Sequence, residues 1–163
     1  MATILEFNGK RPQIHPSVFL APTAVIIGDV TIGEDSSVWF GAVLRGDDPT
    51  HGVVVGPRTS VQENCVVHVG RWGPTVIGMN AIILQNAVVG EECVLAANTV
   101  VLEKAEIPAR SVVAGVPGKV KKTLEGSAAE WIKGGGEHYV QLSREYLRQG
   151  IGTGDPDAGG SNG

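Results

Sequence analysis

Of the four histidines in the chain, His15, His51, His68 and His138, it is His68 that stands where a side chain can do chemistry. It directly follows Val67, one of a series of aliphatic residues spaced by six, so its ring points outward from a rigid coil face. An imidazole held there can ligate a metal ion, but a catalytic zinc takes about three protein ligands. A solvated or hydrogen-bonded surface histidine is therefore the plainer reading. Gln62 holds the same outward slot one hexad earlier, after Val61. The adjacent Glu63 has a carboxylate that can move protons near a metal-bound water, or one that is merely solvated. Arg45 and Asp47 flank Gly46, and two readings of them stay open. They form either an exposed loop ion pair of small worth or a planar two-point pair at a subunit interface. His51 lies in a loop rich in Asp and Pro, and His15 and His138 have no convergent partners in the sequence.

The elements that must position these residues are set by a period of six. From Ile77 an aliphatic residue recurs at Ile83, Val89, Leu95, Val101, Ile107 and Val113, and a small or compact one follows each of the first six by four: Ala81, Ala87, Cys93, Thr99, Ala105 and Ser111. Neither strand alternation nor the 3.6 period of a helix gives this pattern. It marks a hexapeptide β-helix, in which each hexad supplies one short strand and one corner and three hexads close a coil. The same register runs through Ile14, Leu20, Ile26, Ile32, Val38 and Leu44, with the phase at Ile26 and Ile27 ambiguous by one. It resumes at Val55, Val61 and Val67. The block Arg45–Gly52 reads as a corner loop and Gly70–Pro74 as a second break. Cys65 and Cys93 fall in the small slot and read as packed corner thiols rather than a disulfide or a metal pair.

Ile14 to about Gly118 then makes roughly six coils about 4.8 Å apart. Residues 1–13 read as a lead-in strand covering the open end, and the Gly115–Gly118 stretch with its proline ends the prism. Residues 1–126 thus form the β-helix with its lead-in, 119–126 being a connection. A C-terminal helical segment spans 127–149, clearest from Glu137 to Gln149, where Tyr139, Leu142 and Tyr146 make one apolar stripe. Gly134, Gly135 and Gly136 weaken any helix before it. Residues 150–163, rich in Gly, Asp and Ser, read as a disordered tail.

A net charge of −4 with no basic stripe argues against a nucleic-acid partner. Aromatic content of 5% with 23 glycines suits a narrow bore of Val and Ile with permissive corners. Residues 1–10 lack the apolar core of a signal peptide and no apolar run approaches a membrane span, so the expectation is a soluble cytoplasmic protein with no membrane partner.

Four segments, VWFGAVLRGD (Val38 to Asp47), SVQENCVVHVG (Ser60 to Gly70), EIPARSVVAGVPGKV (Glu106 to Val120) and HYVQLSREYL (His138 to Leu147), together resemble the gamma-class carbonic anhydrase family. The resemblance covers nearly all of the chain except the tail. It implies a mainly-β fold, a left-handed parallel β-helix of hexapeptide repeats with a C-terminal α-helix, assembled as a homotrimer with zinc between subunits. The implied chemistry is reversible hydration of CO2 to bicarbonate, with zinc lowering the pKa of its bound water to about 7. Within it, His68 matches the first zinc ligand, Gln62 the side chain that orients the bound water or substrate, and Arg45 and Asp47 the interfacial pair. Glu63 stands where an Asp is usual and Ser60 where an Asn is usual.

The sequence departs from the family after His68. The family carries two further histidines in the coils that follow, whereas here Gly73 to Asn80 run straight into the later coils with no histidine before His138. About four hexads, holding both remaining ligands, are absent. Solenoids tolerate lost repeats because each coil touches only its neighbours. Four hexads are not a whole number of coils, so the later part is expected to be rotated by one face unless Gly70–Pro74 absorbs the difference. Three functions follow as expectations: a carbonic anhydrase with an incomplete zinc site, a non-catalytic trimeric scaffold, and a CoA-dependent acyltransferase with His68 as its base.

Overall fold

The computed structural model describes residues 1–68, 70–72 and 75–155, with the backbone alone at 70–72 and 127–135. Three sheets form the faces of a prism, and the chain visits them in strict rotation. The first face stacks Thr3–Leu5, Val25–Gly28, Val43–Gly46, Val66–His68, Ile82–Ile83 and Val100–Val101. The second stacks Gln13–Ile14, Val30–Ile32, Val53–Val55, Gly70–Trp72, Ala87–Val89 and Glu106–Ile107. The third stacks Phe19–Leu20, Ser37–Val38, Ser60–Val61, Thr75–Ile77, Cys93–Leu95 and Ser111–Ala114. Every pairing within these stacks is parallel. The chain is the expected mainly-β parallel β-helix of hexapeptide repeats with a C-terminal helix.

Side chains in the bore explain the period. Ile26, Leu44, Val67, Ile83 and Val101 project inward from the first face at no more than 1% exposure, which settles the phase on Ile26 rather than Ile27. The small slot is as closed, with Cys65, Ala81, Ala87, Cys93, Thr99 and Ser111 fully buried inside corners. Corners also need one residue in the left-handed region, and Asn64, Asn80 and Asn98 supply it at φ 56, 58 and 60. Asparagine tolerates that region better than most side chains.

The step between coils is not constant. Ile26 pairs with Leu44, eighteen residues on, but Leu44 pairs with Val67, twenty-three on, because Asp47–Gly52 bulges out as a loop. Val67 then pairs with Ile83, only sixteen on. In that short coil Gly70–Trp72 is a strand of the second face, between Val53–Val55 and Ala87–Val89. The stretch expected as a break is therefore a strand, and the chain keeps its rotation over the three faces through the short coil; Val69, Gly73 and Pro74 lie outside the described residues. Within residues 1–13, Thr3–Leu5 is the outermost strand of the first face. One other expectation is corrected, because the connection after Gly118 contains a strand, Lys119–Thr123, antiparallel to Ser111–Ala114.

The C-terminal helix, Ser127–Arg148, runs through Gly134–Gly136 without a break. Each glycine costs a helix about 1 kcal/mol, and docking on the third face offsets it. Tyr139, Leu142, Tyr146 and Leu147 pack on Phe19, Trp39 and Phe40, with the Trp39 ring 5.3 Å from Tyr146 and 4.9 Å from Phe19. Trp39 Nε1 donates to the hydroxyls of Ser37 (3.0 Å) and Ser60 (3.1 Å). Arg144 donates to Asp35 at 2.8 Å, and Arg58 pairs with Glu137. Gly150, at φ 74, ends the helix: its N–H donates to Leu147 O and that of Ile151 to Tyr146 O, both at 2.9 Å. This is a Schellman stop. Disorder expected from Gly150 does not hold over 150–155, which return along Phe19–Leu20. Residues 156–163 lie outside the described residues.

Candidate functional site

The loop 47–52 is pinched at its base, where Gly46 and Gly52 lie so close to the Asp29 backbone that any Cβ would overlap it. Inside the loop, Asp48 Oδ1 accepts from Thr50 N (2.8 Å), Thr50 Oγ1 (2.7 Å) and His51 N (3.0 Å). Its other oxygen accepts from Gln85 Nε2 at 3.1 Å, so the loop spans the short coil to reach the next one. The hydroxyl and amide of Thr50 hold the Asp48 carboxyl below its ordinary pKa, with burial opposing.

This loop delivers Asp47 to the first face. There His68 stands in register with Arg45 on the preceding coil. His68 Nε2 donates to Asp47 Oδ1 at 3.0 Å, and Arg45 Nε lies 3.3 Å from the same oxygen. Side-chain exposures of 22% for His68, 30% for Asp47 and 48% for Arg45 leave the trio partly open to solvent. A cavity of about 200 Å³ beside it is lined by Phe7, Asn8, Lys10 and 46–49.

Gln62 and Glu63 belong to a second group. They occupy the corner leading into Val66–His68, so a whole strand of the first face separates them from His68. Gln62 is 6% exposed and hydrogen-bonds the hydroxyl of Tyr139 on the helix. Burial first, and then the Glu63 charge, push the Tyr139 pKa up, while the Gln62 bond pulls it down. The structure thus joins Arg45, Asp47 and His68, and joins Gln62 and Glu63 elsewhere. Sequence reasoning missed Asp48, Gln85 and Tyr139. Asp48 beside Asp47 in a Pro-containing loop was a usable signal; nothing in the sequence pairs Tyr139 with Gln62.

The remaining candidate ligands are committed elsewhere. His15 Nδ1 lies 2.7 Å from Ser17 Oγ, His51 Nδ1 lies 2.7 Å from Thr50 Oγ1, and the His138 ring packs edge-on to Tyr139. Cys65 donates to Gly78 O at 3.1 Å, and burial pushes its thiol up to about 11. Cys93 donates to Pro108 O at 3.2 Å, its pKa likewise raised by burial. Among the described residues no three His, Cys, Asp or Glu side chains converge to hold a metal ion. The donor set of one chain does not fit zinc.

Residues 11–46 match the family described as bacterial transferase hexapeptide (six repeats). A probable carbonic anhydrase of Methanocaldococcus jannaschii is 42% identical over 154 residues, covering 80% of this chain and 96% of that one. A carbonic anhydrase of Geobacillus kaustophilus is 36% identical over 171 residues, covering 90% and 88%. The chain belongs to the gamma carbonic anhydrase family. Gamma carbonic anhydrase 2 of Arabidopsis thaliana mitochondria is 32% identical across 90% of this chain, which spans 63% of that protein's length. In both microbial carbonic anhydrase matches the aligned length exceeds the residues used here by about 24, or four hexads, the same size as the deficit read from the motifs. Among solved structures, a putative acetyltransferase of Bacillus cereus is 29% identical with TM-score 0.71, covering 91% of this chain and 98% of that one. A hexapeptide transferase family protein of Anaplasma phagocytophilum is 28% identical with TM-score 0.65, covering 89% and 98%. No helix among the described residues is long and apolar enough to cross a membrane.

Proposed function

We propose that this chain is a self-associating scaffold of the gamma carbonic anhydrase family, a homotrimer that keeps the solenoid but not zinc-hydroxide chemistry. The observation that carries the reading is the Asp47 contact to His68: the ring engages a carboxylate of its own chain, Nε2 to Oδ1 at 3.0 Å, and no further ligand converges on it among the described residues. No hydration step is assigned to Gln62 or Glu63, which a strand of the first face separates from His68. The uncovered first face supports association. Its outward columns are Val25, Val43, Val66, Ile82, Val100 and, beside them, Ile27, Leu84 and Leu102 around Arg45 and His68, with Val66 41% and Leu102 48% exposed. Such a bare apolar sheet face marks an interaction surface. The pair Arg45 and Asp47 takes its interfacial role within this proposal, as does a cytoplasmic location.

The deciding experiment combines elemental analysis, native mass and CO2 hydration after incubation with zinc. Trimer mass, no retained zinc and hydration at the buffer rate are expected. Zinc retained near one per chain together with turnover would overturn the reading. Acyl transfer from a CoA thioester draws on one observation, the carboxylate that orients His68 as a general base. The adjoining cavity, about 200 Å³, is below the usual range for ligand pockets, so that reading needs a groove between copies. Absence of acetyl-CoA binding at millimolar concentration removes it.

A further inference from the structure

Strand edges at the ends of a solenoid invite pairing with other chains, and this prism blunts its ends in different ways. On the second face the terminal strands Gln13–Ile14 and Glu106–Ile107 are short and neighbour Pro12, Pro16 and Pro108, which lack amide hydrogens. At the C-terminal end the third face is closed by Lys119–Thr123. The first face is closed there by Gly115 and Gly118, which bond both backbone groups of Val100 (3.1 and 2.8 Å). At the N-terminal end, Phe19–Leu20 is the outermost strand of the third face, and its outer edge is taken by the chain's own C-terminal segment. Leu20 N–H donates to Thr153 O and Thr153 N–H to Leu20 O, both at 2.9 Å, while Asp155 N–H donates to Pro16 O at 2.7 Å.

The fit of this segment is specific. Gly152 (φ 95) lies flat on the Phe19 ring and Gly154 (φ 143) on the carbonyl of Val18, each so close that a Cβ would overlap it. A side chain at either position would lift the segment off the edge. We propose that the Phe19–Leu20 edge is a pairing surface for a second copy of this chain, and that residues 151–155 form a strap that occupies it and keeps two prisms from joining. The edge is self-complementary. Leu20 presents one donor and one acceptor side by side and Thr153 answers them antiparallel, so Leu20 of a second copy, related by a two-fold axis, answers them in the same way. The joined species is therefore closed, two assemblies meeting at their N-terminal ends, rather than a filament.

Light scattering across a range of concentrations tests this on three variants of the full chain: deletion of 151–163, Gly154→Val and Thr153→Pro. The parent keeps one mass at all concentrations, and each variant rises to twice that mass as concentration increases. A synthetic peptide of residues 150–155 in excess returns the deletion variant to the parental mass. Parental mass in variants that keep the parental circular dichroism overturns the proposal, as does doubling of the parent. Should the deletion lose its fold, Thr153→Pro, which removes a single strap donor, carries the test. Hydrogen exchange on the parent is a second reading: unprotected amides at Leu20 and Thr153 would also overturn it.

Discussion

Asp47 Oδ1 receives His68 and sits within ion-pair reach of Arg45, so one substitution reaches all three residues. Asp47→Asn removes the charge but keeps the shape. For a partly exposed pair in a single chain the cost is no more than about 1 kcal/mol, a fall in Tm of no more than about 4 °C for a chain of this size. A thermal melt measures it. A fall several times larger, with loss of native mass, would place the pair inside an interface between copies. The thiols give a second test. Cys65 and Cys93 are fully buried and donate to backbone carbonyls, and the Cys65 pKa stands near 11. Since the thiolate is the reactive form, alkylation near pH 8 should leave both untouched in the native protein and label both once it is unfolded. Rapid labelling of the native chain would contradict their place in the corners.

At the scale of elements, the helix is held by aromatic packing on Trp39 and by ion pairs at the coil corners. Trp39→Ala is expected to cost about 3–5 kcal/mol, because it opens a cavity under Tyr139 and Tyr146 and leaves the hydroxyls of Ser37 and Ser60 without their donor. Trp39→Phe should cost less, keeping most of the ring and losing the donor; chemical denaturation ranks the two. Glu137 sets a pH dependence. Bonds from Gln141 first and then Arg58 hold its carboxyl below the ordinary value of 4.5. A depressed folded pKa means stabilisation is present above the unfolded pKa and is lost as pH falls through the folded one. The melting difference between the parent and Glu137→Gln should therefore be seen at neutral pH, shrink as pH falls below the ordinary carboxylate value and vanish once the folded carboxyl is protonated. A difference that persists in acid would show that shape rather than charge decides it.

For the molecule as a whole, the bore from Ile77 to Val113 could be read from the sequence alone because each hexad repeats the same burial problem with the same answer. Trp39 could not be read in that way: it follows Val38 in an outward slot, and only the docked helix turns that slot into core. The tail was misread for a physical reason, since glycine signals disorder and a close backbone approach in the same letter, and Gly152 and Gly154 are the second kind. Of the site, Arg45 and Asp47 were legible as a pair and His68 as an outward ring, whereas their meeting on one face depends on the loop that stretches this coil to twenty-three residues, and the separation of Gln62 from His68 depends on the length of a strand.

Whole-chain geometry also predicts which losses the prism survives. Deleting Leu84–Val101, one full coil, joins Ile83 to Leu102 and leaves every later strand on its own face. Deleting only Leu84–Val89 moves each later strand to the next face and carries Lys119–Thr123 away from its place at the end of the third face. Circular dichroism and a melt should show a cooperative β protein in the first case and none in the second, although the second removes a third as many residues. In this sense the bore behaves as a reading frame of three, with hexads as its letters. A loss of any number of hexads not divisible by three is a frameshift, and Gly70–Trp72, strand in the place of a break, holds the frame through a coil of only sixteen residues.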